Sequence, residues 1–133
     1  MSEQTLRKVL WVDVIGSSAT IAFTIFGAAL LGGWLGVSAW APLAVGLVLI
    51  PWVALLLRTV RRDQLRAVDV AAIVAGNLLW VGTTAVLLLG FPDALSTAGK
   101  WIVGIFAIAV LDLSLAEWMG LRGLPHKMEP SRV

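Results

Sequence analysis

The sequence predicts an all-α membrane protein: an antiparallel, up-down-up-down bundle of four transmembrane helices. Three observations carry this. Four apolar runs each approach the roughly 20 helical residues that cross a bilayer's hydrocarbon. Charged residues make up only 14% of the 133-residue chain, where a soluble domain carries about a quarter, and mean hydropathy is +0.94. Finally, basic residues stand at the ends of the apolar runs rather than over a surface. Nine of the ten Lys and Arg fall in three clusters: Arg7 and Lys8; Arg58, Arg61, Arg62 and Arg66; and Arg122, Lys127 and Arg132.

The first run covers residues 9–31. It is longer than the core of a secretory signal, Asp13 interrupts it, and no small-residue cleavage pattern follows, so it reads as a retained span. The second covers 40–57, with Pro42 suited to a first helical turn. The third covers 67–90 and the fourth 99–120. None alternates as the strands of a membrane β-barrel would. Helices are required, since lipid offers no partner to free backbone groups. The connections are short: "GGWLGVSA", "RTVRRDQLR" and "FPDALSTA". Pro92 and Asp93 suit a turn, Ser96 or Thr97 an N-cap, and short connections make sequential helices antiparallel neighbours. Residues 1–121 form the transmembrane domain, and 122–133, "RGLPHKMEPSRV", a polar tail.

With four spans, both termini and the middle loop share one side, and all three basic clusters lie there. The positive-inside rule makes that side the cytoplasm of a cell membrane. Trp11 and Trp118 fall near the inner interface, and Trp34, Trp40 and Trp101 near the outer one, as interfacial tryptophans do. Trp52 and Trp80 lie deeper, between helices.

Polar residues inside the spans are the candidate functional groups. Asp13, Asp69 and Glu117 lie close to the inner ends, at about 3–6 Å by helical rise. They read as interfacial acids paired with Arg58, Arg61, Arg62 or Arg66. Asp112 lies about 12 Å deep, Asn77 about 15 Å and Ser17 about 12 Å, and Pro51 frees the Leu47 carbonyl at a similar level. These predict a buried cluster of Ser17, Asn77 and Asp112. Its structural role is a clamp between helices, and its functional role a proton or cation site. Asp13, Ser17, Thr20 and Thr24 recur at spacings 4, 3, 4, which is one helix face. Small residues Ala28, Gly32 and Gly36 also recur at four-residue spacing, and allow close packing within the chain or a dimer seam.

Several chemistries are excluded. Without Cys and with one His, His126, no thiolate chemistry, Cys-based metal site or bis-histidine haem can form within one chain. No metal or cofactor is expected, and no nucleic-acid contact, because the cations are not spread over a surface. No nucleophile–base pair or phosphate-binding loop appears.

The order of an Asp–Ser pair in the first span (Asp13, Ser17), a basic middle loop from Arg58 to Arg66, "NLLW" at 77–80 and "AEW" at 116–118 resembles small, uncharacterised bacterial membrane proteins of four helices. The resemblance covers most of the chain and implies a bacterial inner-membrane location but no activity. The small multidrug transporters are a poor match, since their embedded Glu in the first helix has no counterpart. Three functions remain. A non-enzymatic accessory or scaffolding subunit of a larger membrane complex is favoured. The others are a dimeric proton- or cation-coupled transporter working through Asp112, and a binder of a lipid-like molecule between Trp52 and Trp80.

Overall fold

The computed structural model describes residues 2–123; the remainder of the polar tail, with His126, Lys127 and Arg132, lies outside the described residues. Five helices follow in order: α1 (Glu3–Phe26), α2 (Ala28–Leu35), α3 (Trp40–Val60), α4 (Ala67–Gly90) and α5 (Thr97–Gly123). Four of them, α1, α3, α4 and α5, are long and apolar enough to span a membrane.

The first run is not one helix. It breaks at Gly27, whose φ of −104° and ψ of 22° depart from the helix, and resumes as α2; glycine is needed there because a Cβ would lie 2.7 Å from the Phe23 carbonyl oxygen. α2 then ends at Gly36, whose φ of 77° is left-handed and favours glycine. The small residues predicted as a helix-packing set act here. A Cβ on Gly32 would lie 2.9 Å from the Val37 carbonyl oxygen, and one on Gly36 2.9 Å from the Ser96 backbone nitrogen. Gly32 and Gly36 thus serve close approach within the chain, while Ala28 is half-buried.

α5 begins where α2 ends. Ser96 Oγ accepts from the Gly99 N–H at 2.9 Å, an N-cap bond, and donates to the Trp34 carbonyl at 2.6 Å. The Ser96 N–H donates to the Leu35 carbonyl at 2.9 Å.

The bundle is a ring in the order α3, α1, α5, α4. α1 packs along α3, α5 along α4, and α1 against α5. α3 and α4, although joined by a short loop, have the least intimate contact; Trp52 bridges them, its ring filling the space a Cβ on Gly76 would need. The core occupies the half of the bundle nearer the termini: Leu6, Leu10, Val14, Leu56, Ile73 and Val74 are among its buried members. Lipid tails are as apolar as these residues, so their contribution comes from van der Waals packing rather than from escape from water. Trp40 and Trp101 are 76% and 70% exposed at the opposite end, which suits an interfacial belt.

The loop between α3 and α4 is pinned by α1. Arg7 donates to the carbonyl of Val60, the last residue of α3, whose carbonyl an α-helix leaves unpaired, and to the loop carbonyls of Arg62 (2.8 Å) and Asp63 (3.2 Å). Glu3 receives Arg7 at 3.3 Å and the Leu65 N–H at 3.2 Å. Arg7→Ala is expected to destabilise the bundle by about 2 kcal/mol, the loss of charge-assisted bonds to half-buried carbonyls. A lowered midpoint of thermal unfolding in mild detergent checks this, and Arg7→Lys should recover part of the loss.

Candidate functional site

Each long helix buries one stripe. On α1 the stripe passes through Leu6, Leu10, Asp13, Ser17 and Thr24; on α5 through Ala107, Val110, Ser114 and Glu117; and on α4 through Val70, Ile73, Asn77 and Thr84, all buried or half-buried. The spacings of three and four put each set on one helical face. Asp13, Asn77 and Glu117 therefore converge at the centre of the bundle.

Asn77 holds the cluster. Its Nδ2 donates to Asp13 Oδ2 at 3.0 Å and to Glu117 Oε1 at 2.8 Å. Ser17 donates to Asp13 Oδ1 at 3.1 Å. Glu117 is fully buried and Asp13 is 4% exposed. No cationic side chain forms an ion pair with either acid among the described residues. A single carboxamide thus serves two carboxyls, an acceptor-rich set suited to a proton, a monovalent cation or a donor group on a ligand. Glu117 Oε2 is buried with no hydrogen-bond partner among the described residues.

A cavity of about 340 Å³ opens from this cluster. Asp13, Ser17 and Asn77 form its polar floor, Trp52, Trp80 and Phe106 its aromatic walls. Trp80 meets Phe106 edge-on at 6.3 Å, and Trp80 Nε1 is buried without a partner among the described residues. The rim consists of Val48 and Leu49 on α3 and Leu79 and Thr83 on α4. Val48 and Leu79 are 70% and 72% exposed, so the cavity opens sideways through the loose α3–α4 seam. Its size and its few polar groups among apolar walls match small-molecule sites, which run from about 300 Å³ upward.

The structure redistributes the predicted site residues. Ser17 and Asn77 meet at Asp13, but Asp112 makes no hydrogen bond to them: it is exposed on α5 and faces, together with Asp13 and Ser17, a groove between α1 and α5. It follows Val110 by two residues and precedes Ser114 by two, and two residues turn a helix by about 200°, so it faces away from the buried stripe. Pro51 and Leu47 also lie on an exposed face of α3, away from the cluster. Of the three acids predicted to pair with arginines, Asp69 does so, at 3.3 Å from Arg62 Nε and 4.0 Å from Arg58. The Arg62 contact is an ion pair without hydrogen-bond alignment. Asp13 and Glu117 instead turn inward to Asn77, while Arg61 and Arg66 are exposed.

Depth misled the sequence reading, because it ranks acids by distance from a helix end and ignores the face. The signal that finds Glu117 is the 3-and-4 spacing from Ala107 through Ser114. Thr20, Thr24 and Ser114 need no distant partner: their hydroxyls donate to the carbonyls of Gly16, Thr20 and Val110, each at 2.8 Å.

No protein-family model matches the chain, and no curated protein or solved structure is similar to it.

Proposed function

We propose that this membrane protein takes an elongated amphiphilic molecule from the bilayer into the cavity between α3 and α4. The polar end of the molecule meets Asp13 and Asn77, and its apolar body lies along Trp52, Trp80 and Phe106. The observation that carries this is the sideways-opening cavity itself, which joins a buried hydrogen-bonding floor to an aromatic wall. The cavity supports a binding role directly, and that role is therefore preferred to an accessory subunit. The basic clusters at the ends of the spans support, through the positive-inside rule, termini on the cytoplasmic side of a cell membrane.

The test uses the protein in phosphatidylcholine nanodiscs, titrated with dodecylamine, dodecanol and laurate and followed by tryptophan fluorescence. Saturable binding of at least one probe is expected. Thr83→Trp fills the rim at an exposed position and should weaken that binding at least tenfold with the unfolding midpoint unchanged. Unsaturable partitioning of all three, or binding indifferent to Thr83→Trp, would contradict the proposal.

A second reading, exchange of the bound molecule against a proton or cation, is favoured by the Asp13 carboxyl in the cavity floor and the Glu117 carboxyl linked to it through Asn77. It moves the coupling site from Asp112 to that pair. In liposomes loaded with a pH indicator, proton movement on adding the bound probe, lost in Glu117→Gln, would support it; no movement in the parent protein would remove it.

A further inference from the structure

The outer face of α5 carries a pattern that the bundle does not use. Ile102, Ile105, Ala109, Asp112, Ala116 and Met119 follow one another at spacings 3, 4, 3, 4, 3. That is the seam pattern of a helix that pairs with another. All are exposed except Ala116, which is half-buried. Asp112 stands in the middle of the stripe, about 12 Å by helical rise from the inner end of the span. No hydrogen bond or ion pair joins it to another described residue. An ionisable side chain at acyl-chain depth faces protein or a water-filled cavity, not lipid.

We infer that this stripe is the seam of a parallel, two-fold homodimer in which Asp112 meets Asp112 of the partner subunit. Symmetry supplies the argument for a second copy. A two-fold axis along the membrane normal brings each seam residue to its own counterpart at its own depth. A carboxyl is then its own complement: with one proton between the two, the O–H of one donates to an oxygen of the other. Any other partner would have to place a matching group at that level. Ala109 and Ala116 flank the acid and let the helices approach closely, and a lone polar residue in a seam fixes its register. The groove between α1 and α5, about 520 Å³ and lined by Val12, Gly16 and Asp112 among others, adjoins the stripe and gives room to the partner's helix. In the ring order α3, α1, α5, α4, this face lies opposite the α3–α4 seam. The dimer therefore leaves the mouth of the cavity open to lipid, while the groove and the cavity share Asp13, Ser17, Phe106 and Val110 between them.

The chain has no cysteine, so single-cysteine variants report contacts cleanly. Ala109→Cys and Ala116→Cys are oxidised in native membranes beside Leu79→Cys and Val86→Cys, exposed on α4. Disulfide-linked dimers are expected to form at least tenfold faster at the α5 positions. In the Ala109→Cys background, Asp112→Asn should keep the rate within twofold, since carboxamides also pair, and Asp112→Leu should lower it at least fivefold. Counting fluorescent subunits in liposomes at high lipid dilution should give two for the parent. Equal rates on both faces, cross-linking only to a different protein, a count of one, or indifference to Asp112→Leu would overturn the inference.

Discussion

Asn77→Leu is expected to destabilise the bundle by about 3 kcal/mol, the largest loss from any single polar substitution here. The side chain is nearly isosteric, so packing changes little. What goes is the one donor that serves both Asp13 and Glu117, at 3.0 and 2.8 Å. Two buried carboxyls are left facing each other with Ser17 as the remaining side-chain donor, to Asp13. Hydrogen bonds between membrane helices are individually worth about 0.6 kcal/mol on average, which gives the scale for one such bond. Breaking a buried interaction on one side only costs more, because the groups left behind stay desolvated. Equilibrium unfolding in mixed micelles measures the difference. Glu117→Gln in the same chain supplies a new amide opposite Asp13 and should restore at least half the loss. A change below about 0.5 kcal/mol in Asn77→Leu would mean that the carboxyls do not depend on this amide.

Gly99→Val is expected to destabilise by about 3 kcal/mol through overpacking. A Cβ on Gly99 would lie 2.7 Å from the carbonyl oxygen and 2.8 Å from the Cα of Leu35. Both are backbone atoms, in a segment held by the Ser96 N–H and Ser96 Oγ bonds to Leu35 and Trp34. The segment cannot give way without breaking the join between α2 and α5. Gly120 makes a useful contrast: the atoms nearest its Cβ would be those of the Leu6 side chain, 2.5 Å at Cδ1, and not backbone, so Gly120→Ala should cost less. Gly82, with nothing within 4 Å, should accept alanine with a gain of up to about 1 kcal/mol in helix propensity. The order Gly99, Gly120, Gly82 in falling cost, read from unfolding midpoints, checks the argument. An equal response at all three would refute the close join of α2 to α5.

Hydropathy made the four spans legible because apolar runs and their basic ends are properties of composition along the chain. The last three runs match their helices within a few residues: α3 reaches Val60 where the run ends at 57, and α5 begins at Thr97 where the run begins at 99; the first run, 9–31, instead covers parts of two helices, with α1 starting at Glu3 and α2 ending at Leu35. The break at Gly27 was not legible, since Gly27 sits in an unbroken apolar stretch and only the backbone reveals the kink. Neither was the loose α3–α4 seam, because a short connection fixes adjacency but not closeness. For the site, Asn77 and Ser17 were found from depth and residue type. Glu117 was missed and Asp112 misplaced because two acids five residues apart differ by about 140° around a helix, and depth contains no such angle. The stripe of buried residues on α5 does contain it, once Ser114 and Ala107 are seen to share a face with Glu117.

Asn77 is the only asparagine in the chain, so selective ¹⁵N-asparagine labelling gives one side-chain amide, and its two protons report the centre of the bundle directly. Two well-separated, slowly exchanging proton signals are expected in lipid; Asp13→Leu, which adds no second asparagine, should move chiefly one of them and Glu117→Gln chiefly the other. A single averaged pair that exchanges freely with water and ignores both substitutions would contradict a bundle closed around Asp13, Asn77 and Glu117.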